Sequence, residues 1–440
     1  MLVQTKTVFS YLLILIPLFL ITGPAIPDII ITLSAVFGII YYINRNEYKG
    51  LLKINFIRIS LLFWTSLLII SFFSINKSNS FQDSIIFLRF LLLPIFLYFI
   101  FLKDKKLFEI ILIFILILIV LICIDTLYQF FNYTSKDGFG RDIIGFKSNW
   151  YGRLSGPFGD ELIPGSYVSK FGLFGFVYLI SKRKLENRFI IHALYLTLIL
   201  LVTFASGERM ALATFCMGLI LLFIFLKNNR LAILITFILG AVLIYLIIKI
   251  HPFYNDYKII ESTQYHQGLK VEKFYKCNED SDEICSKIIE LQPSFLKVIQ
   301  NFNSSAYGEI YSLSYKMFIN NPITGTGINN FKYLCNHNTI YKNVMINYEC
   351  ASHPHNIYIH WLAEGGLIVF SIFILYLLFL LRFIIINDGE NKYKFISLII
   401  ILIMFWPIMS TGSLIKNWYG ITTFFIIGLC MCLSSFKSNH

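Results

Sequence analysis

Long, almost uninterrupted apolar blocks are the feature that most restricts how this chain can fold. Residues 108–130 and 231–250 are examples, and each matches the ~20-residue helix that crosses the hydrocarbon layer of a membrane. Only 14% of the 440 residues are charged, whereas soluble domains have roughly 25%. The sequence therefore predicts an all-α integral membrane protein.

Twelve blocks have this composition, so we predict about 12 transmembrane helices in one bundle. A polar connector, 132–164, separates the fifth and sixth spans. We expect spans 1–9 within residues 1–250, a large and partly helical loop at 251–355, and spans 10–12 within residues 356–440. The predicted spans cover residues 8–23, 25–43, 57–75, 84–102, 108–130, 165–181, 189–205, 208–226, 230–250, 356–383, 394–410 and 418–435.

The connectors alternate in charge, which indicates how the chain crosses the membrane. Basic connectors stay in the cytoplasm, so the alternation predicts cytoplasmic termini and an outer position for 132–164 and 251–355. The formal net charge of +12 then reflects orientation rather than binding to nucleic acid. The short outer connectors hold only isolated lysines, Lys77 and Lys416. The basic connectors contain Arg45, Lys49 and Lys53; Lys103, Lys105 and Lys106; Lys182, Arg183, Lys184 and Arg188; Lys227 and Arg230; and Lys392 and Lys394.

Four of the eight cysteines lie in the large loop, on the oxidising side of the membrane, where disulfides form. Three connectivities are open, and we favour the sequence-local one, Cys277–Cys285 with Cys335–Cys350. The spacing does not fit a zinc site, so we predict no metal.

Histidines are concentrated in residues 352–360, Ser-His-Pro-His-Asn-Ile-Tyr-Ile-His. Pro354 suits the first turn of a helix, so His355 and Asn356 are expected to open the tenth span. The partial positive charge of a helix N-terminus lowers the pKa of a histidine, and a neutral imidazole can act as a general base. His353 and His360 are alternatives, and a purely structural helix cap remains equally open.

Arg209 lies at the outer edge of an otherwise apolar span. A charged group in that position is costly, so it needs an anionic partner. Its guanidinium can bind two phosphate oxygens at once, and the neighbouring Glu208 is the alternative partner.

These motifs together resemble the bacterial O-antigen ligases and the related O-antigen polymerases. His355-Asn356, followed after nine residues by Gly366, resembles the family signature, and Arg209 falls on a family arginine. Residues 321–331 and 153–158 also resemble family loop sequences. The chain departs from the pattern at two positions, Val369 and Glu309, where the family has a small residue or tyrosine and a second arginine.

The resemblance implies an inverting, metal-independent glycosyltransferase with no cofactor at the periplasmic face of the inner membrane. Its donor would be a glycan on undecaprenyl pyrophosphate, and its acceptor a hydroxyl of the lipid A core or of a second lipid-linked glycan. His355 would accept the acceptor proton, and Arg209 would stabilise the departing pyrophosphate. The expected substrate-binding residues are Arg153, Asn356, Lys332 and His353; Lys332 or Arg153 could replace the missing second arginine.

Two alternatives remain at this point. An O-antigen polymerase shares the fold, the donor and the motifs of a ligase and differs in its acceptor. A polysaccharide transporter or flippase would share the substrate, but such proteins usually consist of two related halves, which this sequence does not show.

Overall fold

A computed structural model provides the fold of the chain. It describes residues 2–134, 138–148, 152–182, 185, 188–255, 258–259, 270–276, 284–290, 300–346, 348–408 and 410–437. It divides into two compact units, one formed by residues 1–111 and 301–440 and the other by residues 112–300.

The first unit contains most of the helices. They are α1 (Leu2–Ile14), α2 (Ile16–Phe19), α3 (Ala25–Asn44), α4 (Tyr48–Leu51), α5 (Asn55–Phe73), α6 (Lys77–Lys103), α13 (Ala306–Asn320), α14 (Phe331–His337), α15 (Thr339–Lys342), α16 (Ile357–Ile386), α17 (Asn391–Met404) and α18 (Asn417–Leu433). In this unit, α6 packs against α5 and α18, and α16 packs against α5 and α13.

The second unit begins within α7 (Lys105–Phe131). It continues with α8 (Pro164–Ser181), α9 (Phe189–Ala205), α10 (Arg209–Phe225), α11 (Arg230–Ile250) and α12 (Pro252–Asn255). A small antiparallel sheet follows, with β1 (Lys258–Ile259) and β2 (Lys270–Lys276) on either side of β3 (Ile284–Glu290). This sheet was not predicted from the sequence.

Each predicted span coincides with a helix or a pair of helices. Among the described residues, six helices are long and apolar enough to cross a membrane: Ala25–Asn44, Asn55–Phe73, Lys77–Leu102, Lys105–Phe131, Lys227–Ile250 and Ile357–Ile386. Three shorter apolar helices, at Phe189–Ala205, Arg209–Phe225 and Asn417–Leu433, accompany them in the described chain.

Prolines explain two differences from the predicted boundaries. The first predicted span, 8–23, is divided at Leu15 into α1 and α2, because Pro17 lacks an N–H and disfavours a continuous helix. The eleventh, predicted to reach residue 410, ends at Met404, shortly before Pro407.

The helix α16 is interrupted at Gly366, where φ is 61° and ψ is −166°. In a regular helix, the N–H groups of Leu367 and Ile368 would bond to the carbonyls of Ala363 and Glu364. Here Leu367 N donates instead to Pro322 O (2.9 Å), and Ile368 N donates to Ile323 O (3.3 Å).

The carbonyl oxygens of Ala363 and Glu364, which the break leaves free, accept bonds from the loop that contains Pro322 and Ile323. Thr326 N donates to Ala363 O at 3.0 Å, and Gly327 N donates to Glu364 O at 2.9 Å. The insertion loop, residues 322–331, thus replaces the backbone bonds that the break removes. Only glycine fits at position 366, because a Cβ there would clash with the backbone of Ile323 and Gly325.

Beside this loop, α13 and α14 share a small core built from Leu313, Met317, Phe331 and Leu334. A disulfide joins Cys335, which belongs to this core, to Cys350, with 5.8 Å between their Cα atoms. This is one of the two pairs favoured from sequence. Cys277 lies outside the described residues, as does the side chain of Cys285, so the other pair stays a prediction.

We expect Gly366→Ala to lower the free energy of unfolding by about 1–3 kcal/mol or more, because alanine is strained at positive φ and its methyl group has no room. Thermal unfolding in nanodiscs measures the change. Gly50→Ala is the matched control, since nothing lies within 4 Å of a Cβ at Gly50. Equal unfolding midpoints for the two variants would contradict the role of Gly366.

We also expect peptide mapping under non-reducing conditions to find Cys335 linked to Cys350 in protein from native membranes. Cys335→Ser should destabilise the protein by about 3 kcal/mol, the value for a bridge that closes a loop of this length. Cys216→Ser, which removes a free thiol, should have a smaller effect. Free thiols at both positions in the native protein would be evidence against the bridge.

Candidate functional site

His355 occupies a strained turn just before α16. Its φ is 55°, in the left-handed region, and the next residue, Asn356, is the N-cap of the helix. The ring centroid of His355 lies 4.2 Å from that of His353 and 6.0 Å from that of Tyr307, whose ring is nearly perpendicular. Such strain costs about 1–3 kcal/mol and clusters at functional sites. The turn therefore presents the His355 imidazole in a defined place.

The segment before α18 fastens this turn on both sides. Thr411 N donates to His355 O at 2.8 Å, and His353 Nε2 lies 3.1 Å from Thr411 O. His353 Nδ1 lies 2.8 Å from Ser352 Oγ, so both ring nitrogens of His353 are engaged. Burial and the neighbouring histidines lower the pKa of His353 to about 3. His353 is therefore a neutral side chain that supports its neighbour.

His355 differs from His353 in having an accessible, unengaged imidazole. Among the described residues, neither of its ring nitrogens has a hydrogen-bond partner, and the side chain is half-buried. Burial, and then the nearby His360, lower the pKa of His355 below its usual value. The imidazole is thus neutral near pH 7, as a general base requires.

The lowered pKa agrees with the sequence-based prediction, but its cause differs. The helix begins at Ile357 rather than at His355, so His355 lies outside the first turn. Desolvation and His360 account for the shift instead of the helix N-terminus.

Glu364 accepts hydrogen bonds from several polar groups near this turn, although it is only 1% exposed. Its Oε2 lies 3.0 Å from His360 Nε2 and accepts a bond from Asn329 N at 2.6 Å. Its Oε1 accepts a bond from Phe331 N at 2.8 Å. A buried carboxylate needs such donors, and here they connect the insertion loop to the histidines.

Asn329 extends this network to a cation. Its side-chain nitrogen, Nδ2, donates to Asp83 Oδ2 at 2.6 Å, and its Oδ1 accepts from Lys416 Nζ at 3.2 Å. Lys416 is exposed, and its charge contributes to the lowered pKa of His353. A positive charge therefore lies within electrostatic range of the turn that holds His353 and His355, the histidine turn.

In the second unit, Arg209 is the first residue of α10. The chain reaches it through Gly207, where φ is 75° and a Cβ would clash with the carbonyl of Gly152. A cavity of about 200 Å³ opens at this point. Its lining includes Gly152, Phe204, Glu208, Arg209, Phe253 and Tyr254.

Glu208, the alternative partner of Arg209, also has partners elsewhere in the chain. Its carboxylate accepts bonds from the backbone N–H and the hydroxyl group of Ser166, and Arg153 Nη2 lies 3.9 Å away. Arg153 also donates from Nη2 to Leu162 O at 2.8 Å. Arg153 thus lies beside Glu208, the residue that precedes Arg209 in the chain.

Other predicted residues have structural contacts. Asn356 Oδ1 accepts from Tyr358 N and Ile359 N, and its amide nitrogen donates to Pro407 O at 2.7 Å. Lys332 is exposed on α14, whose N-terminus Glu364 caps. Glu309, at the position of the second arginine, is 5% exposed and accepts a bond from Ile346 N.

Glu364 was not predicted from the sequence, and Lys416 was expected only as an isolated charge. A single acid inside an apolar block signals a functional or structural site, and this criterion could have identified Glu364. The bond from Lys416 to Asn329 joins residues 87 positions apart, and no local pattern reveals it.

Comparison with known proteins gives one family. No curated protein matches the chain. Residues 194–374 match the family model Wzy_C, described as O-antigen ligase. The matched stretch contains Arg209, the insertion loop, the histidine turn and Gly366. Between residues 194 and 374, the chain is therefore similar to the O-antigen ligases.

Proposed function

We propose that this protein is an inverting, metal-independent glycosyltransferase of the O-antigen ligase type. It transfers a glycan from undecaprenyl pyrophosphate to a hydroxyl of the lipid A core at the periplasmic face of the bacterial inner membrane. The observation that supports this most directly is the neutral, half-buried imidazole of His355. The family match supports an O-antigen ligase or polymerase function in general.

The proposed topology has 12 spans and cytoplasmic termini. The six long and three shorter apolar helices support it, together with the α1–α2 pair, α8 and α17, which coincide with the remaining predicted spans. In this orientation, the polar connector 132–164 and the large loop 251–355 are periplasmic.

In the proposed reaction, His355 accepts the proton of the acceptor hydroxyl as its oxygen attacks the anomeric carbon of the donor sugar. The bond between that carbon and the pyrophosphate oxygen breaks, and the configuration inverts. His353 and Asn356, which we also propose to bind substrate, hold the histidine turn through contacts with Thr411 and Pro407. Their positions support the geometry that a general base needs.

Negative charge develops on the departing pyrophosphate, and Arg209 stabilises it there. A guanidinium binds two phosphate oxygens at once, and the cavity beside Arg209 supplies space for such a group. Arg153 lies 3.9 Å from the carboxylate of Glu208 and adds positive charge to this region. Lys332 contributes to substrate binding from α14 in the same proposal.

Variants of His355 and Arg209 should fail in different ways. His355→Ala should lower turnover by about 10²–10⁴-fold and leave donor affinity nearly unchanged, because the imidazole contacts the acceptor proton. Arg209→Ala should weaken both donor binding and turnover. Arg209→Lys should restore only part of the lost binding and turnover, because an ammonium lacks the bidentate fork. Turnover and donor affinity in nanodiscs measure both effects.

Each variant has a matched control. His337→Ala removes an exposed histidine, and Arg230→Ala removes another arginine that opens an apolar helix. Both controls should retain activity. Full activity of His355→Ala would overturn the assignment of the base. If transfer depends on His355 but the acceptor is a second lipid-linked repeat, the protein is a polymerase instead.

The pH dependence of turnover should identify the base independently. Only the neutral imidazole accepts a proton, so activity is constant at higher pH and falls as the pH decreases through the pKa of His355. Because that pKa is lowered, the acidic limb should be centred below pH ~6.5, the usual value for histidine. An acidic limb centred above pH ~7 would contradict a buried, neutral His355.

A further inference from the structure

Two buried carboxylates in the second unit hold the same turn of the polar connector. Asp125, on α7, accepts a bond from Ile143 N to its Oδ1 at 2.9 Å. Asp142 accepts bonds from Gly145 N and Phe146 N to its own Oδ1, both at 2.5 Å. The two carboxylates therefore accept bonds from the backbone of the same turn, residues 142–146, and interact electrostatically.

The second oxygen of each carboxylate has no partner. Asp125 is 6% exposed and Asp142 is 4% exposed, and the Oδ2 atoms of both are buried. Within the described part of the chain, neither Oδ2 accepts a hydrogen bond. Two like charges that interact electrostatically, each with an unsatisfied buried oxygen, are unfavourable without a counter-charge.

Nearby basic side chains do not supply that charge in the described structure. Arg141 directs its Nη1 to the carbonyl of Gly145 at 2.7 Å, and Lys147 is exposed. No ion pair joins either of them to Asp125 or Asp142 among the described residues.

We propose that Asp125 and Asp142 bind a divalent cation with oxygen ligands, preferably Ca²⁺, between their Oδ2 atoms. Ca²⁺ takes six to eight oxygen ligands in flexible geometry, and carboxylates, backbone carbonyls and water all serve. The described residues include no group of three or more His, Cys, Asp or Glu side chains suited to an ion, so backbone and water oxygens complete the shell.

The cation fastens the connector to α7 and takes no part in glycosyl transfer. Nearby, Gln129 on α7 already holds the connector by accepting bonds from Ser155 N and Gly156 N. The site adds a second attachment, at residues 142–146, ahead of Arg153 along the chain.

Thermal unfolding tests this inference without reference to activity. The full-length protein in nanodiscs is stripped with a chelator, desalted and titrated with CaCl₂ or MgCl₂. We expect Ca²⁺ to raise the unfolding midpoint, with half of the effect at about 10⁻⁴–10⁻³ M, as in extracellular calcium sites. Asp125→Asn and Asp142→Asn should abolish the rise, and Asp160→Asn, an exposed position on the same connector, should retain it.

Calorimetric titration of the stripped wild-type protein gives a second measurement, independent of whether the variants fold. The proposal is supported if the wild-type protein has one saturable Ca²⁺ or Mg²⁺ site per chain and either Asn substitution removes it. If neither variant folds, one such site in the wild-type protein supports it. Absence of binding, or an equal midpoint shift in the Asn variants, overturns it. A shared proton between the two carboxyls would give that negative result. Neither measurement depends on His355, so failure here leaves the proposed transfer reaction untouched.

Discussion

The exchange of backbone hydrogen bonds at Gly366 is the interaction on which the rest of the first unit depends. A membrane offers no water to satisfy a broken helix, so every released N–H and carbonyl needs a protein partner. The insertion loop supplies four such partners and closes the gap in α16. This constraint explains why the histidine signature includes a glycine ten residues after Asn356, since any side chain there would collide with the loop. A separate contact restricts position 365, where a Cβ would clash with the side chain of Val369, so Val369 is accommodated by a neighbouring glycine.

Once the loop is inserted, Glu364 connects the fold to the candidate chemistry. The same stretch of α16 that lends its carbonyls to the loop directs this carboxylate towards two backbone N–H groups of the loop and towards His360. His360 in turn contributes to the lowered pKa of His355. The position of the loop and the electrostatics of the histidine turn are therefore coupled through one buried acid. Loss of that acid would leave two backbone donors unsatisfied, which is costly in a buried site.

The sequence predicts those features that depend on short-range patterns. The helices follow from apolar blocks, and the boundaries fail at Pro17 and Pro407, where a single residue overrides the hydrophobic pattern. His355 is recognisable from its motif, but the cause of its lowered pKa is not, because burial by residues distant in sequence is invisible locally. Asn356 shows the same limit: its amide caps α16 and bonds Pro407, so a residue expected at the substrate has its polar atoms engaged by the fold. The small sheet within residues 258–290 was not predicted either.

Glu309 stands where the sequence resemblance leads us to expect a second arginine, and it brings no positive charge to that position. The carboxylate of Glu309 is buried and accepts a bond from Ile346 N, so it stabilises the loop rather than binding an anion. Lys416 reaches Asn329 from the segment before α18, and its charge contributes to the lowered pKa of His353. Asn329 has φ of 58° and is held by Glu364, so the position of that lysine depends on the inserted loop as well. The positive charge that acts on His353 thus comes from a lysine far from Glu309 in the chain.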